Sequence, residues 1–407
     1  MRRLPMEGVK VADFSWVLAG PSVGRMLADF GATVVRVESA KRVDLARSLS
    51  PFTNGEARPD NSALASDVNA GKLGLALDLA HPAAQDVARK LTDWADIAVE
   101  SFSPGTMEKW GLNYANLVKT NPDLIMLSTC LLGNTGPFSR MAGFGSAGAC
   151  MSGIHYVTGW PDLFPTGFSG PYTDFVAPRF SLIGILAALD RRRRTGEGAY
   201  IDLSQTEAGL QFVALELADY FRNGRVAARC GNDDVRLAPN NVYVCRNAPD
   251  GSSRFVAITV RSQPEWTVLY NVLGLQGIDD LGAADTDERL RQRRRIDDAI
   301  AAATRDAKAE DVEAMLQSAG VPAYTVLTSI DLPHDAQLQA RNHFIKVSHP
   351  RRGSTYVEST RILLSETPGA PRGAGPDVGE HDDYVLRELL GLTEPEISDL
   401  RETGALN

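Results

Sequence analysis

Apolar positions come in two rhythms along the first half of the chain. Val9–Ser15 (VKVADFS) is a short, mostly apolar run of the kind buried in a parallel sheet. The turn Trp16–Ser22 follows, then Val23, Met26, Leu27 and Phe30 at helical spacing. Gly31 stops that helix, and Ala32–Val37 is a second strand. Strand, Gly/Pro turn, helix and strand make a βαβ unit of about thirty residues. The alternation recurs. Gly74–Leu79 reads as a strand, His81–Trp94 as a helix and Asp96–Glu100 as a strand. The loop Ser101–Leu112 leads to a further helix, and Leu124–Ser128 is the next strand. From Asp174 a longer helix places Phe180, Ile183, Leu186 and Ala187 at i, i+3, i+6 and i+7. Arg191–Arg194 sit at its carbonyl end, Gly196 and Gly198 stop it, and Ala199–Gln205 alternates like a strand. Strands separated by helices predict an α/β fold with a parallel, doubly wound sheet.

The rhythm changes after Gln205. A helix over Glu207–Phe221 runs into the polar, Gly-containing stretch Asn223–Leu237, and this composition shift predicts a domain boundary. The segments 238–245 and Arg254–Val260 read as two strands of a smaller α+β domain, with helices at 264–274 and 285–311. The second of these mixes both charge signs, as a solvated face does. Val321–Val326 reads as a strand returning from the small domain, followed by a helix at 335–344 and a strand at 345–350. Two helices close the chain. Leu386, Leu389 and Leu390 stripe the first, and Thr393–Glu396 is a capping-box pattern opening the second. The expected division is 1–205 as the large domain, 206–235 as linker, 236–320 as the small domain, and 321–407 as return linker and the last part of the large domain.

Composition narrows the function classes. With 407 residues, 43% hydrophobic and 23% charged, the chain can bury two cores. A net charge of −9 with a pI near 5.3 argues against nucleic acid or an anionic membrane as partner. Cys130, Cys150, Cys230 and Cys245 are scattered without metal spacing, so neither a disulfide frame nor a metal site is expected. The N-terminus lacks an apolar leader core, and Phe180–Leu189 is too short an apolar run to span a bilayer. The expectation is a cytoplasmic protein.

Candidate chemistry lies in the loops after the strands, where ligands of such sheets bind. No GxGxxG follows the first strand, so no nicotinamide or flavin is expected. Arg36, Lys41, Arg42 and Arg47 cluster around the second loop. They read either as a solvated surface or as a clamp for phosphates. His81 beside Pro82 reads as a helix start, and His155, in a Gly/Ala-rich stretch, as a packed core residue. Asp174, where a Gly/Pro/aromatic loop gives way to a helix, has two readings. An N-cap is the commoner role on residue type alone; the other is a nucleophilic carboxylate facing a cleft.

The blocks TGWPD, YTD, RRRRTGEG and YIDLSQ around Asp174 resemble the centre of the family III CoA-transferases (the CaiB/BaiF superfamily). MEGVKVADFSWVLAGPSVGRMLADFGATVVRVE, NAGKLGLALDLAHP, ADIAVESFSPGTMEKWGL and PDLIMLSTCLLGNTGP resemble its earlier blocks in the same order. GVPAYTV, ARNHF and TPGAPRGAGPDVGEH resemble its C-terminal part. The resemblance covers nearly the whole chain. CLLGNTGP, TGWPD and YTDFVAPRF are most similar to the benzylsuccinate-type branch.

The resemblance implies a Rossmann-like large domain, a smaller domain, and an interlocked dimer, either a homodimer or a heteromer. It implies an acyl-CoA donor and a small carboxylic acid acceptor, with coenzyme A as the shared group and no metal. Asp174 falls on the position of the nucleophile. Leu18, Ala19, Arg36, Lys72, Ser101, Phe102, Ser103 and Lys109 fall on positions that contact coenzyme A. Many members carry Gln at the Leu18 position, and Asn and Arg at those of Ser101 and Ser103. They also often carry His-Gly where Asn240-Asn241 stand. The related α-methylacyl-CoA racemases carry a proton-transferring His in an AGHD-type block. The counterpart here is AGFG, with Phe144 in its place. A CoA-binding subunit of a hetero-oligomeric transferase is a further alternative. Trp160, Phe164, Phe168 and Tyr172, ahead of Asp174, read either as an apolar lining for the acyl group or as loop packing.

Overall fold

Near-continuous Val, Ile, Leu and Ala runs form six parallel strands, because both faces of the sheet they build are buried. The computed structural model describes residues 3–167 and 170–406. The strands are β1 (Lys10–Asp13), β2 (Thr33–Glu38), β3 (Leu73–Ala76), β4 (Ile97–Glu100), β5 (Ile125–Cys130) and β6 (Ala199–Ser204). Their order is β3-β2-β1-β4-β5-β6, all parallel. The register aligns Val11 with Val34 and Ile97, and Ala12 with Val35 and Ala98, so alternate residues feed two separate cores. Val11, Val34, Ile97 and Leu127 enter one core together with Val23 and Leu27 of helix α1 (Ala19–Asp29). Ala12, Val35, Leu75 and Met126 enter the other, with Val87 and Leu91 of α2 (Pro82–Trp94) and Ile397 and Leu400 of the C-terminal helix Glu394–Glu402. This is the predicted α/β, Rossmann-like arrangement. Its direction of winding reverses between β1 and β4.

Several elements differ from expectation for identifiable reasons. Helix α1 begins at Ala19, not Val23. Ala19–Ser22, read as a turn, is its first turn, where Pro21 costs little because that N–H has no intrahelical partner. Gly20 is required there, since a Cβ would collide with the Ser15 side chain. Between β5 and the long helix lies a short helix, α3 (Gly145–Met151), in the stretch read only as Gly/Ala-rich. The long helix itself is α4 (Tyr172–Thr195), and its buried face is not the predicted one. Ala177, Ser181, Ile185, Ala188 and Leu189 are buried, whereas Ile183 and Leu186 are exposed. An 18-residue window of α4 is apolar enough to cross a membrane by length and composition, but Ile185, Ala188 and Leu189 place it in the core against the sheet.

The helix predicted over Glu207–Phe221 is broken into Gln205–Leu210, a tight turn at Gln211–Val213, and α5 (Ala214–Asn223). His81 caps α2 as predicted, its Nδ1 accepting from the Ala83 N–H at 3.2 Å. The capping box at Thr393 and Glu396 also forms.

The chain divides into two compact units. One comprises 1–155, 167–226 and 337–407; the other comprises 156–166 and 227–336. The second holds the antiparallel sheet β7 (Asn240–Cys245), β8 (Arg254–Thr259) and β9 (Ala323–Thr325), in that order. The stretch 321–326, read as a strand returning from the small domain, holds the third strand of this sheet at Ala323–Thr325. Its core is centred on Trp266, whose indole donates to the Leu281 carbonyl at 2.9 Å. The charged helix Arg293–Thr304 buries the stripe Ile296, Ile300 and Thr304, with Ala299 and Ala301 partly buried against the same core. In the first unit, the strand predicted at 345–350 is β10 (Phe344–His349), paired with β11 (Gly353–Glu358), which the sequence reading did not foresee.

Candidate active site

Asp174 is not a helix cap. Pro171 occupies the cap position of α4, and Asp174 stands inside the first turn with its backbone N–H on the Pro171 carbonyl at 3.0 Å. Its carboxylate is buried and accepts one N–H among the described residues, that of Gly145, at 3.4 Å. Burial raises the acid to about 6, and the Gly145 N–H only partly offsets this. The carboxylate therefore combines proximity to a helix N-terminus with weak solvation, the condition under which an oxygen nucleophile is activated.

The starts of α3 and α4 are pressed together. Thr173 Oγ1 donates to the Gly145 carbonyl at 2.9 Å. A Cβ on Gly145 would lie 2.8 Å from Asp174 Cγ and from the Pro171 carbonyl oxygen. Only glycine allows this backbone to approach the carboxylate.

Asp174 opens onto a cleft of about 410 Å³ formed by loops beyond the carboxyl ends of β1, β4 and β5. This is the topological switch point, where open parallel sheets bind ligands. Leu18, Ala19, Ser101, Phe102 and Ser103 line the same cleft as Asp174. Ser101 fixes one loop to the other: its Oγ accepts from the Trp16 N–H at 2.8 Å and donates to the Trp16 carbonyl at 3.2 Å. Glu100, pushed up to about 7 by burial, accepts the Phe102 N–H at 2.8 Å and a hydrogen bond from Ser128. Trp16, Phe102 and Trp110 stack edge to face at 5.8 and 5.2 Å. They also wall an adjoining, mostly apolar pocket of about 250 Å³ over β1, β2 and β3.

The remaining predicted contacts lie elsewhere. Arg36 is fully buried, paired with Asp44 and within 3.8 Å of Asp13 and 3.7 Å of Glu38. The Lys72 ammonium is equally buried. It spends its three donors on Asp13 (2.7 Å), the Pro21 carbonyl (2.8 Å) and Asn69 (2.8 Å). In this arrangement neither side chain faces the cleft. Lys109 is exposed at the end of the short helix Thr106–Lys109 and lies outside both pockets. Of the loop cations, Arg47 is buried on Glu38 and Lys41 pairs with Asp78 at 3.0 Å. Arg42 alone faces the ligand space. It lies over the Trp16 ring at 5.4 Å, lines both pockets, and has no carboxylate partner among the described residues.

Sequence reasoning left Trp16 and Gln205 out of the site, although both lie just beyond strand ends, where a parallel sheet presents its ligand contacts. Phe144 lines the cleft, and among the described residues no histidine does. His155 points elsewhere, with Nδ1 3.0 Å from Cys150 Sγ. Of the aromatics ahead of Asp174, Trp160 and Phe164 belong to the second unit, Tyr172 packs on Phe212, and Phe168 lies outside the described residues.

One cluster has a ligand set suited to a metal. His349, Asp377 and Glu380 bring one donor atom each within 4.8 Å. Its hydrogen bonding is that of an ion-paired brace. His349 Nδ1 accepts the backbone N–H of Arg351 and Arg352 at 3.2 Å, Nε2 faces Glu380 at 3.0 Å, and Arg351 and Arg352 hold Asp377.

Residues 6–382 match the model of CoA-transferase family III. The succinyl-CoA–D-citramalate CoA-transferase of Chloroflexus aurantiacus is 33% identical over 98% of this chain and 97% of its own. The succinate–glutarate CoA-transferase of Agrobacterium fabrum is 31% identical over 95% and 96%. A crystal structure of a CaiB/BaiF family protein from Brucella suis superposes with a TM-score of 0.86 at 29% identity, covering 95% of this chain and all of that one. With the match spanning the βαβ opening, Asp174 and the C-terminal return, this chain is a member of the family III CoA-transferases.

Proposed function

We propose that this enzyme moves coenzyme A from a donor acyl-CoA to a carboxylic acid with Asp174 as nucleophile. The observation that carries this reading is a buried, weakly solvated carboxylate, raised to about 6, that shares a cleft with five of the predicted coenzyme A contacts. The Asp174 carboxylate attacks the donor thioester carbonyl, forming a mixed anhydride and expelling CoA thiolate. The thiolate attacks the aspartyl carbonyl, the donor acid leaves, and Asp174 carries the thioester. The acceptor carboxylate attacks that thioester, again expelling thiolate. The thiolate then attacks the acceptor carbonyl, which releases the new acyl-CoA and restores the carboxylate. Thioester is exchanged for thioester, so the chemistry asks the protein for position, desolvation and oxyanion donors.

In this reading Leu18, Ala19, Ser101, Phe102 and Ser103 contact coenzyme A directly, and Arg42 supplies the cation for its phosphates. Arg36 and Lys72 act on the site from inside, holding Asp13, Asp44 and Asn69 under the loops. Lys109 is left for a phosphate reaching the rim.

Racemisation is the second reading. It is disfavoured because Phe144 stands where a proton-carrying side chain is needed and no histidine lines the cleft. Placement in the benzylsuccinate-type branch rests on the sequence blocks; the two curated relatives above are named for succinyl-CoA or succinate. We also propose a homodimer, supported by the exposed apolar side chains of α4 and α5. Relatives named as alpha and beta subunits of a malate CoA-transferase in Chloroflexus aurantiacus keep a heteromer as the alternative.

The test is isotope exchange without acceptor. Labelled donor acid should exchange into its own acyl-CoA with the wild-type enzyme and not with Asp174→Ala. Exchange that persists in Asp174→Ala, or wash-in of solvent deuterium at the α-carbon, would contradict the reading.

A further inference from the structure

The cleft is asymmetric in charge. At its Asp174 end the wall is built from Cys130, Leu131, Met141, Ala142, Gly143 and Phe144, none of them charged. Met141 and Phe144 are large apolar side chains that stay about half exposed, at 50% and 57%, in the same cleft as Asp174, and Phe144 immediately precedes Gly145, whose N–H meets the carboxylate. Apart from Asp174, the only charged side chain on the lining among the described residues is Arg42. It sits at the junction with the adjoining pocket, over Trp16, and so belongs to the end away from Asp174. Arg140 lies between Ser139 and Met141 in the chain, but it is exposed and does not line the cleft.

An acyl group whose carbonyl meets Asp174 would extend along this wall. Ser139 and Gln205 are uncharged polar residues on the same lining, so a distal carboxylate placed there would give up water without gaining a cation, which is costly. A hydrocarbon tail would cover Met141 and Phe144 and gain from their desolvation.

Resting on the transferase reading above, we infer that the Met141–Phe144 wall is an acyl-specificity surface that favours acids carrying an uncharged hydrocarbon group, aromatic or aliphatic, over dicarboxylic acids. The relatives at 33% and 31% identity are named for four- and five-carbon dicarboxylic acids or a hydroxylated relative of them, so the inferred acids differ in class from those in the relatives' names.

The experiment measures loading of the enzyme from single thioesters, as release of free acid without acceptor, using 3-phenylpropanoyl-CoA, hexanoyl-CoA and succinyl-CoA. The hydrocarbon thioesters should load with kcat/KM at least about tenfold above succinyl-CoA, the scale on which an apolar pocket discriminates. Phe144→Ala should lower hydrocarbon loading about tenfold or more and narrow that ratio, while Arg140→Ala should leave the ratio unchanged. Faster loading from succinyl-CoA, or selective loss of succinyl loading in Arg140→Ala, would overturn the inference. If all three thioesters fail to load Asp174, the transferase reading fails first and takes the specificity surface with it. Loading from all three at equal rates overturns the specificity surface alone.

Discussion

At the residue scale the candidate site is one carboxylate and the glycine against it. Burial raises Asp174 to about 6, so the folded protein holds its proton more tightly than the unfolded chain does, whose value is near the ordinary 3.8. The associated stability is fully present below the unfolded value and is lost as pH rises through about 6. A shift of this size corresponds to roughly 3 kcal/mol. Asp174→Asn should therefore be inactive yet more stable than wild type at pH 8 by about 1–3 kcal/mol, with the difference vanishing near pH 4. Urea melts at the two pH values check this; equal stability at both would remove burial as the cause of the shift. In the proposed mechanism the ionised form attacks, so kcat/KM should rise with pH and reach half its plateau near 6 in wild type.

Gly145→Ala places a methyl 2.8 Å from Asp174 Cγ. It should lower kcat about a hundredfold, the cost of misplacing a reacting group by about an ångström, with little change in the acyl-CoA KM. An undiminished kcat in this variant would show that the carboxylate does not need that position. Asp174 was legible in the sequence only through the blocks around it, because a carboxylate at a helix start is chemically identical to a cap. The distinction lies in where the carboxylate oxygens point, which follows from the tertiary contact with Gly145.

At the element scale, parallel strands were legible because burial on both faces writes an almost unbroken apolar run, as in β2 and β5. The face of α4 was not. Apolar side chains surround that helix, so periodicity alone could not choose Ile185 over Ile183. The charged residues of β2 and its loop were harder still. Arg36 and Lys72 look like ligand cations in sequence, yet the fold buries them with Asp13, Asp44 and Glu38 at the carboxyl ends of β1 and β2.

Lys72→Ala leaves Asp13 buried with one cation fewer and should cost about 3–5 kcal/mol. Pairing it with Asp13→Asn should recover part of that loss, because the two side chains touch. Denaturant melts of the two single variants and the double variant check this. A Lys72→Ala protein of wild-type stability, with only its CoA affinity reduced, would show instead that the ammonium serves the ligand directly.

At the scale of the whole molecule, large apolar side chains stand exposed on α4 and α5 of the first unit, the kind of surface that marks an interaction site when it is contiguous. Helix α5 buries none of its residues, with Leu215 and Phe221 about four-fifths exposed, and Ile183 and Leu186 of α4 are also open. The homodimer proposed above would cover these side chains. Leu215→Arg combined with Phe221→Arg should convert a dimer to monomer in sedimentation velocity, whereas an unchanged sedimentation coefficient would place the interface elsewhere. The sequence showed the composition shift near residue 223 but not the excursion at 156–166, which joins the second unit through contacts distant in sequence, such as Arg229 with the Tyr156 and Trp160 carbonyls.

The most direct test of the central claim is the mass of the intact enzyme after incubation with acyl-CoA alone, followed by hydroxylamine or borohydride and peptide mapping. Covalent coenzyme A on Asp174, converted by either reagent to the matching hydroxamate or alcohol and absent in Asp174→Ala, is the predicted result. A loaded enzyme whose adduct maps to any other residue, or acid release with no covalent intermediate, would contradict the account.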